Sequence, residues 1–262
     1  MKVYEFGDPD KPILLLLPGT CCHWKANFGD VVPLLQKRFY IACVSYDGFD
    51  ETEQTEFVSM MDETKKIEAY VWSHYGGRIH AAYGCSLGGS FVGLLLSRKK
   101  ITMKHGIIGS SDLDQAGWLA AKLQTKLALP ILYRLIHKGG FANKHISRFM
   151  EKRIAEMGAY GEAMKRMFGI GTGTLRIVSK ASIENQFFWD LRTPLPEDIS
   201  VPGTTVHVFY ALKMGEKYLA RYNRHFHKPD IVAFDLRHEE LLAVYPEKWV
   251  DCVEKVCLRE AA

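Results

Sequence analysis

The chain has 262 residues, 47% of them hydrophobic and 24% charged, an ordinary globular composition that excludes disordered, collagen-like and low-complexity readings. Lysine and arginine number 34 against 30 aspartates and glutamates, and a net charge of +4 is too small for a dedicated nucleic-acid binder. The average conceals a split: Gln115 to Lys180 carries 12 basic and 3 acidic residues, a net of +9, which leaves the rest of the chain at −5.

In chain order, Val3 to Phe6 alternates like a short strand. Ile13 to Leu17 is continuously apolar, the pattern of a strand buried on both faces of a parallel sheet. It stops at Pro18, far short of the roughly 20 residues of a membrane span, and no targeting segment is expected. Trp24 to Arg38 has helical spacing through Trp24, Phe28, Val31 or Val32, and Leu35. A strand over Tyr40 to Tyr46 leads into Asp47-Gly48-Phe49-Asp50 and the acidic stretch Glu51 to Glu56. These read as a solvated loop in which Phe49 is placed to wall a pocket. A helix over Phe57 to His74 is stopped by Gly76-Gly77, a strand follows over Arg78 to Gly84, and an apolar helix over Leu87 to Ser97. Lys104 to Ser110 supplies another strand.

This alternation predicts a doubly wound, mostly parallel sheet. It halts after Ser111. From Asp114 to about Lys180 the pattern is helical only, broken at Gly139-Gly140 and at Gly169-Ile170-Gly171-Thr172-Gly173. The second break resembles a phosphate loop, but no buried strand precedes it and no Lys-Ser/Thr ends it, so it reads as a hinge. The rhythm resumes with a strand over Thr204 to Tyr210, a helix over Lys217 to His225, a strand over Asp230 to Asp235 and a helix over Pro246 to Glu260. Six cysteines (Cys21, Cys22, Cys43, Cys85, Cys252 and Cys257) lack metal-site spacing and read as reduced thiols of a cytoplasmic protein.

Three segments carry chemistry. Gly84-Cys85-Ser86-Leu87-Gly88-Gly89 lies where a strand hands over to a helix, a turn that exposes a serine as a nucleophile and lets the Leu87 amide meet the oxyanion it generates. Leu17-Pro18-Gly19-Thr20 follows an early buried strand, where a second oxyanion amide belongs. Thr20 is the candidate donor, with Cys21 the alternative. His238 follows the last strand and is the expected base, since histidine is the residue type suited to general-base work near neutral pH and this one stands late at a strand end.

This order, ending in His-Glu-Glu-Leu-Leu, resembles the α/β-hydrolase superfamily over essentially the whole chain, and within it the small lidded bacterial esterases and carbon–carbon bond hydrolases. The resemblance implies an α/β-hydrolase fold with a helical lid inserted after the sixth strand. The core would be 1–112 and 201–262 and the lid 113–200, with no metal and no organic cofactor. It implies Ser86 as nucleophile, His238 as base, and Leu87 and Thr20 as oxyanion donors. The acid departs from the pattern: Met214 occupies the usual slot and cannot orient an imidazole. Asp112, after the preceding strand, is the choice, with Glu216 and Asp114 as alternatives; Asp114 suits a helix cap better.

The expected activity is hydrolysis of a carboxylic ester of a small, partly apolar substrate through an acyl-enzyme. Trp118, Leu119, Leu123, Leu127, Leu129, Ile131, Leu132, Tyr133 and Leu135 are available to line an acyl pocket. The basic insertion would suit an anionic substrate. Two alternatives stand beside this. One is carbon–carbon bond hydrolysis or lyase chemistry on a keto acid, whose carboxylate Arg134, Arg148, Arg153, Arg166 or Arg176 would hold. The other is a catalytically degenerate ligand-binding protein, suggested by Met214.

Overall fold

Seven strands form one sheet in a computed structural model that describes residues 1–113, 115–138, 144–167 and 175–258. The elements begin with β1 (Lys2–Phe6), β2 (Ile13–Leu17), α1 (Trp24–Phe28), α2 (Val32–Leu35), β3 (Tyr40–Ser45), α3 (Met60–Tyr75), β4 (Arg78–Gly84), α4 (Leu87–Arg98) and β5 (Thr102–Ile108). Four helices follow: α5 (Trp118–Lys138), α6 (Lys144–Glu156), α7 (Ala159–Met167) and α8 (Lys180–Arg192). The chain then returns through β6 (Thr205–Ala211), α9 (Glu216–His225), β7 (Asp230–Phe234), α10 (Glu240–Val244) and α11 (Pro246–Leu258). The strand order is β1-β3-β2-β4-β5-β6-β7, with β1 antiparallel to β3 and every other pair parallel.

The continuous apolar run of β2 has a direct cause. Leu15 and Leu17 point into one core, and Leu14 and Leu16 into the other, on opposite faces of the sheet. All four are fully buried, so alternation with polar residues is not available to this strand. From β2 the chain winds outward to β3 and then returns to β4 on the other side. The carboxyl ends of β2 and β4 therefore flank the crevice where strand order reverses, the place where sheets of this kind bind ligands.

Three expectations are corrected. Trp24 to Arg38 is not one helix: α1 ends at Gly29 and α2 restarts at Val32, because Pro33 has no N–H to bond the Gly29 carbonyl. In chain order the helical insertion follows β5, the fifth strand, where the resemblance implied the sixth. Finally, Asp47 to Asp50 is buried rather than solvated. Lys66 pairs with Asp47, whose amide donates to Glu63, and Asp50 accepts from the Tyr4 hydroxyl at 2.9 Å and the Thr52 amide at 2.9 Å. Phe49 packs edge-on against Phe57, 6.4 Å between ring centroids, and is part of the core. The breaks at Gly139-Gly140 and Gly169 to Gly173 lie outside the described residues, as does Asp114. None of the described helices is long and apolar enough to cross a membrane.

Candidate active site

Ser86 sits between the end of β4 and the start of α4 with φ 49° and ψ −112°, a conformation that side-chain-bearing residues rarely hold. Such strain costs about 1–3 kcal/mol and persists only where the surroundings impose it. They do so here by close approach. A Cβ on Gly84 would stand 2.1 Å from the Gly88 carbonyl, and a Cβ on Gly88 would stand 2.1 Å from the Leu17 carbonyl oxygen. Gly84 lets β4 and the start of α4 close on each other, and Gly88 lets the turn press against β2. The Gly88 amide donates to the Cys85 carbonyl and the Gly89 amide to the Ser86 carbonyl, each at 2.8 Å. The Leu87 amide stands in the first turn of α4, where no intrahelical acceptor exists. It lies at the positive end of the helix dipole.

The loop after β2 borders this turn: a Cβ on Gly19 would lie 3.5 Å from both the Ser86 Cβ and the Cys85 carbonyl oxygen. Its backbone groups are pinned one by one. Tyr46 donates its hydroxyl to the Pro18 carbonyl at 3.1 Å, and the Gly19 amide donates to Asn27 Oδ1 at 2.8 Å. The Cys21 amide donates to Gln186 Oε1 of α8 at 2.6 Å. The Cys21 amide is therefore engaged, whereas no hydrogen bond occupies the Thr20 amide among the described residues. The Thr20 hydroxyl makes only a long contact, 3.5 Å, to Asp190 Oδ2.

His238 follows β7 and is half-buried. Its carbonyl accepts from the Tyr160 hydroxyl of α7 at 2.9 Å. The next residue, Glu239, is buried and left-handed (φ 54°), and its carboxylate reaches under the serine turn. Oε1 accepts the Ser86 amide at 2.7 Å and Oε2 accepts the Tyr83 hydroxyl at 3.1 Å. Sequence reasoning missed Glu239: it stands 153 residues from its partner, and only its adjacency to His238 marks it.

The acid candidates are less closely gathered. Asp112 is half-buried, and its carbonyl accepts from Arg221 at 2.8 Å. Burial first, then the charges of Glu239 and Asp112, push the Tyr222 phenol up. Glu216 is exposed in the first turn of α9, where its charge suits the helix dipole. Met214 is half-buried in a short 3-10 turn before it. Among the described residues no carboxylate hydrogen-bonds the His238 ring, nor does the Ser86 hydroxyl; catalytic hydrogen bonds often tighten only when substrate is present.

No family model matches the chain, and no curated protein matches it in sequence. Solved structures do match. An alpha/beta hydrolase family protein from Desulfitobacterium hafniense superposes with a TM-score of 0.75 at 18% identity, over 97% of this chain and 99% of that one. The enol-lactonase from Burkholderia xenovorans LB400 gives 0.66 at 15%, over 98% and 96%. A thermophilic esterase from Thermogutta terrifontis gives 0.67 at 17%, over 97% and 92%. This chain has the α/β-hydrolase fold.

Within the α/β-hydrolase fold, other reactive groups near the serine are quiet. Cys85 and Cys21 are fully buried, and burial pushes both thiols far up; the same cause takes Cys22 up to about 12. None of the three is a thiolate nucleophile. His23, Asp50 and Glu51 offer three ligand atoms within 4.8 Å of one another, but they do not fit a metal. His23 Nδ1 accepts the Lys25 amide at 3.2 Å as the cap of α1, so Nε2 keeps its proton and faces Glu51 at 2.7 Å. A metal would need that lone pair.

The helical insertion directs its side chains differently from expectation. α5 packs on α8, burying Ala121, Leu129 and Ile136. Leu123, Leu127 and Ile131 fall on the opposite face and are exposed, and Trp118 and Leu119 are exposed in the first turn of the helix. Of the arginines, Arg148, Arg153 and Arg176 are exposed, and Arg166 is exposed and pairs with Asp30 at 3.2 Å. Arg134 is half-buried.

Proposed function

We propose that the protein is a serine hydrolase that cleaves a carboxylic ester, or a related acyl bond, of a small and partly apolar substrate. The observation that carries this reading is the enforced conformation of Ser86 beside two amides, Leu87 and Thr20, that have no acceptor among the described residues. Enforced strain at a half-buried nucleophile, beside free donors, is a preorganised site for a tetrahedral oxyanion. The esterase and enol-lactonase neighbours, which are named for acyl-bond chemistry, support the class of reaction.

In this reading the Ser86 oxygen attacks the substrate carbonyl while its proton passes to His238. The oxyanion is held by the Leu87 and Thr20 amides. Collapse expels the alcohol, which takes the proton back from His238. Water then gives a proton to His238 and attacks the acyl-serine, and the acid product leaves as Ser86 regains its proton. Asp112 is the acid assigned to steady the imidazolium, and residues 113–200 are assigned as the lid over the core 1–112 and 201–262. The +9 insertion favours substrates that carry negative charge. The test is Ser86→Ala on a panel of nitrophenyl esters, with fluorophosphonate labelling of the wild type. Turnover and labelling are expected in the wild type only; equal turnover in the variant refutes the assignment.

A further inference from the structure

We infer that Glu239 is a positioning residue that holds the base and the nucleophile of this site in register. The inference rests on the serine-hydrolase reading above and adds a member that the triad and the oxyanion hole do not contain.

A buried carboxylate is costly unless its oxygens are satisfied. Glu239 is 2% exposed, and its two oxygens take the Ser86 amide at 2.7 Å and the Tyr83 hydroxyl at 3.1 Å. The side chain does no helix work, since it makes no capping bond to α10. The slot it fills is kept open by Gly109 at the end of β5, where a Cβ would lie 2.7 Å from Oε1. Ser86 and Glu239 both have positive φ, and one hydrogen bond joins them. Glu239 directly follows His238, so this bond ties the backbone of the base to the amide of the nucleophile. From the other side the His238 carbonyl is held by Tyr160 at 2.9 Å. With the Ser86 amide engaged by Glu239, the Leu87 and Thr20 amides are left to face the oxyanion.

Reach and charge are separable. Glu239→Gln keeps an acceptor oxygen at the same distance and removes the charge. Glu239→Asp keeps the charge and withdraws the acceptor by one methylene. Each variant would be compared with wild type for fluorophosphonate labelling rate, kcat and KM on nitrophenyl esters, and thermal midpoint. Expected for Asp is a loss of about 100-fold in kcat and labelling rate with KM unchanged, the scale of a misplacement of about 1 Å. Gln is expected to recover most of that loss. A merely structural role would move the midpoint of both variants without this split. The inference is overturned if folded Glu239→Asp labels at the wild-type rate, or if Gln is as slow as Asp, which would assign the effect to charge. Absence of labelling in the wild type overturns the serine-hydrolase reading and this inference with it; a labelled wild type with an unaffected Asp variant overturns this inference alone.

Discussion

Asn27 gives the sharpest test of the oxyanion loop, because it touches the loop without touching substrate. Its Oδ1 is the acceptor for the Gly19 amide, in a buried setting, at 2.8 Å. Asn27→Ala removes the acceptor and leaves a buried N–H unsatisfied, which costs about 1–3 kcal/mol. In a domain of this size that is a fall of roughly 3–9 °C in thermal midpoint. The same change frees the residue before Thr20 to rotate. If the Thr20 amide is an oxyanion donor, kcat falls as well, toward the loss of about 100-fold seen when one such donor is removed. The assay is kcat and KM on nitrophenyl esters at a temperature well below the lowered midpoint, beside a melting curve. A lower midpoint with unchanged kcat would refute the role given to Thr20, and an unchanged midpoint would refute the burial argument itself.

Three further outcomes follow from the packing and the buried titratable groups. Gly88→Ala drives a Cβ to 2.1 Å from the Leu17 carbonyl oxygen and should destabilise by about 3 kcal/mol, whereas Gly117→Ala meets nothing within 4 Å and should stay within about 0.5 kcal/mol; equal denaturation midpoints would contradict the close-approach argument. Burial, and behind it the Asp47 charge, push the Glu63 carboxyl up to about 7. A folded pKa raised above the unfolded value of about 4.5 favours folding most below that value, and the contribution is lost as pH rises through about 7. Glu63→Gln should flatten this decline between about pH 5 and pH 8, and a parallel slope in the variant would count against it. His105 runs the other way: burial, then the neighbouring His207 and His80, lower its pKa to about 4. Its contribution is present above about 6.5 and is lost as pH falls through about 4, so His105→Gln should blunt acid unfolding in that window.

Legibility in the sequence tracked how local each constraint is. The turn at Ser86 was readable because its strand, its glycines and its helix are contiguous, and Gly84 and Gly88 each answer a close backbone contact. His238 stands after the last strand, as its sequence position implies, and its role as base belongs to the proposed function. The residues that pin the oxyanion loop were not: Asn27, Tyr46 and Gln186 act from three separate elements, and nothing in their local pattern distinguishes them from ordinary polar residues. Glu239 failed for the same reason. The loop at Asp47 to Asp50 misled in the opposite direction, since its polarity suggests water while its partners are Lys66, Glu63 and Tyr4. The apolar residues of α5 are hard to place from sequence because periodicity marks a stripe but not which neighbour claims it; α5 packs on α8, and Ala121 and Leu129 are buried.

The bond from Tyr160 to the His238 carbonyl has a bearing on how such a protein can be altered. A cover that merely shades a pocket is a detachable module, and trimming it should widen access. On the proposed assignment of 113–200 as the lid and His238 as the base, this bond makes the lid a support for the base as well. Engineering the insertion for broader substrates would therefore trade access against catalysis: a graft that omits the α7 tyrosine would inherit an open door and an unsteady histidine.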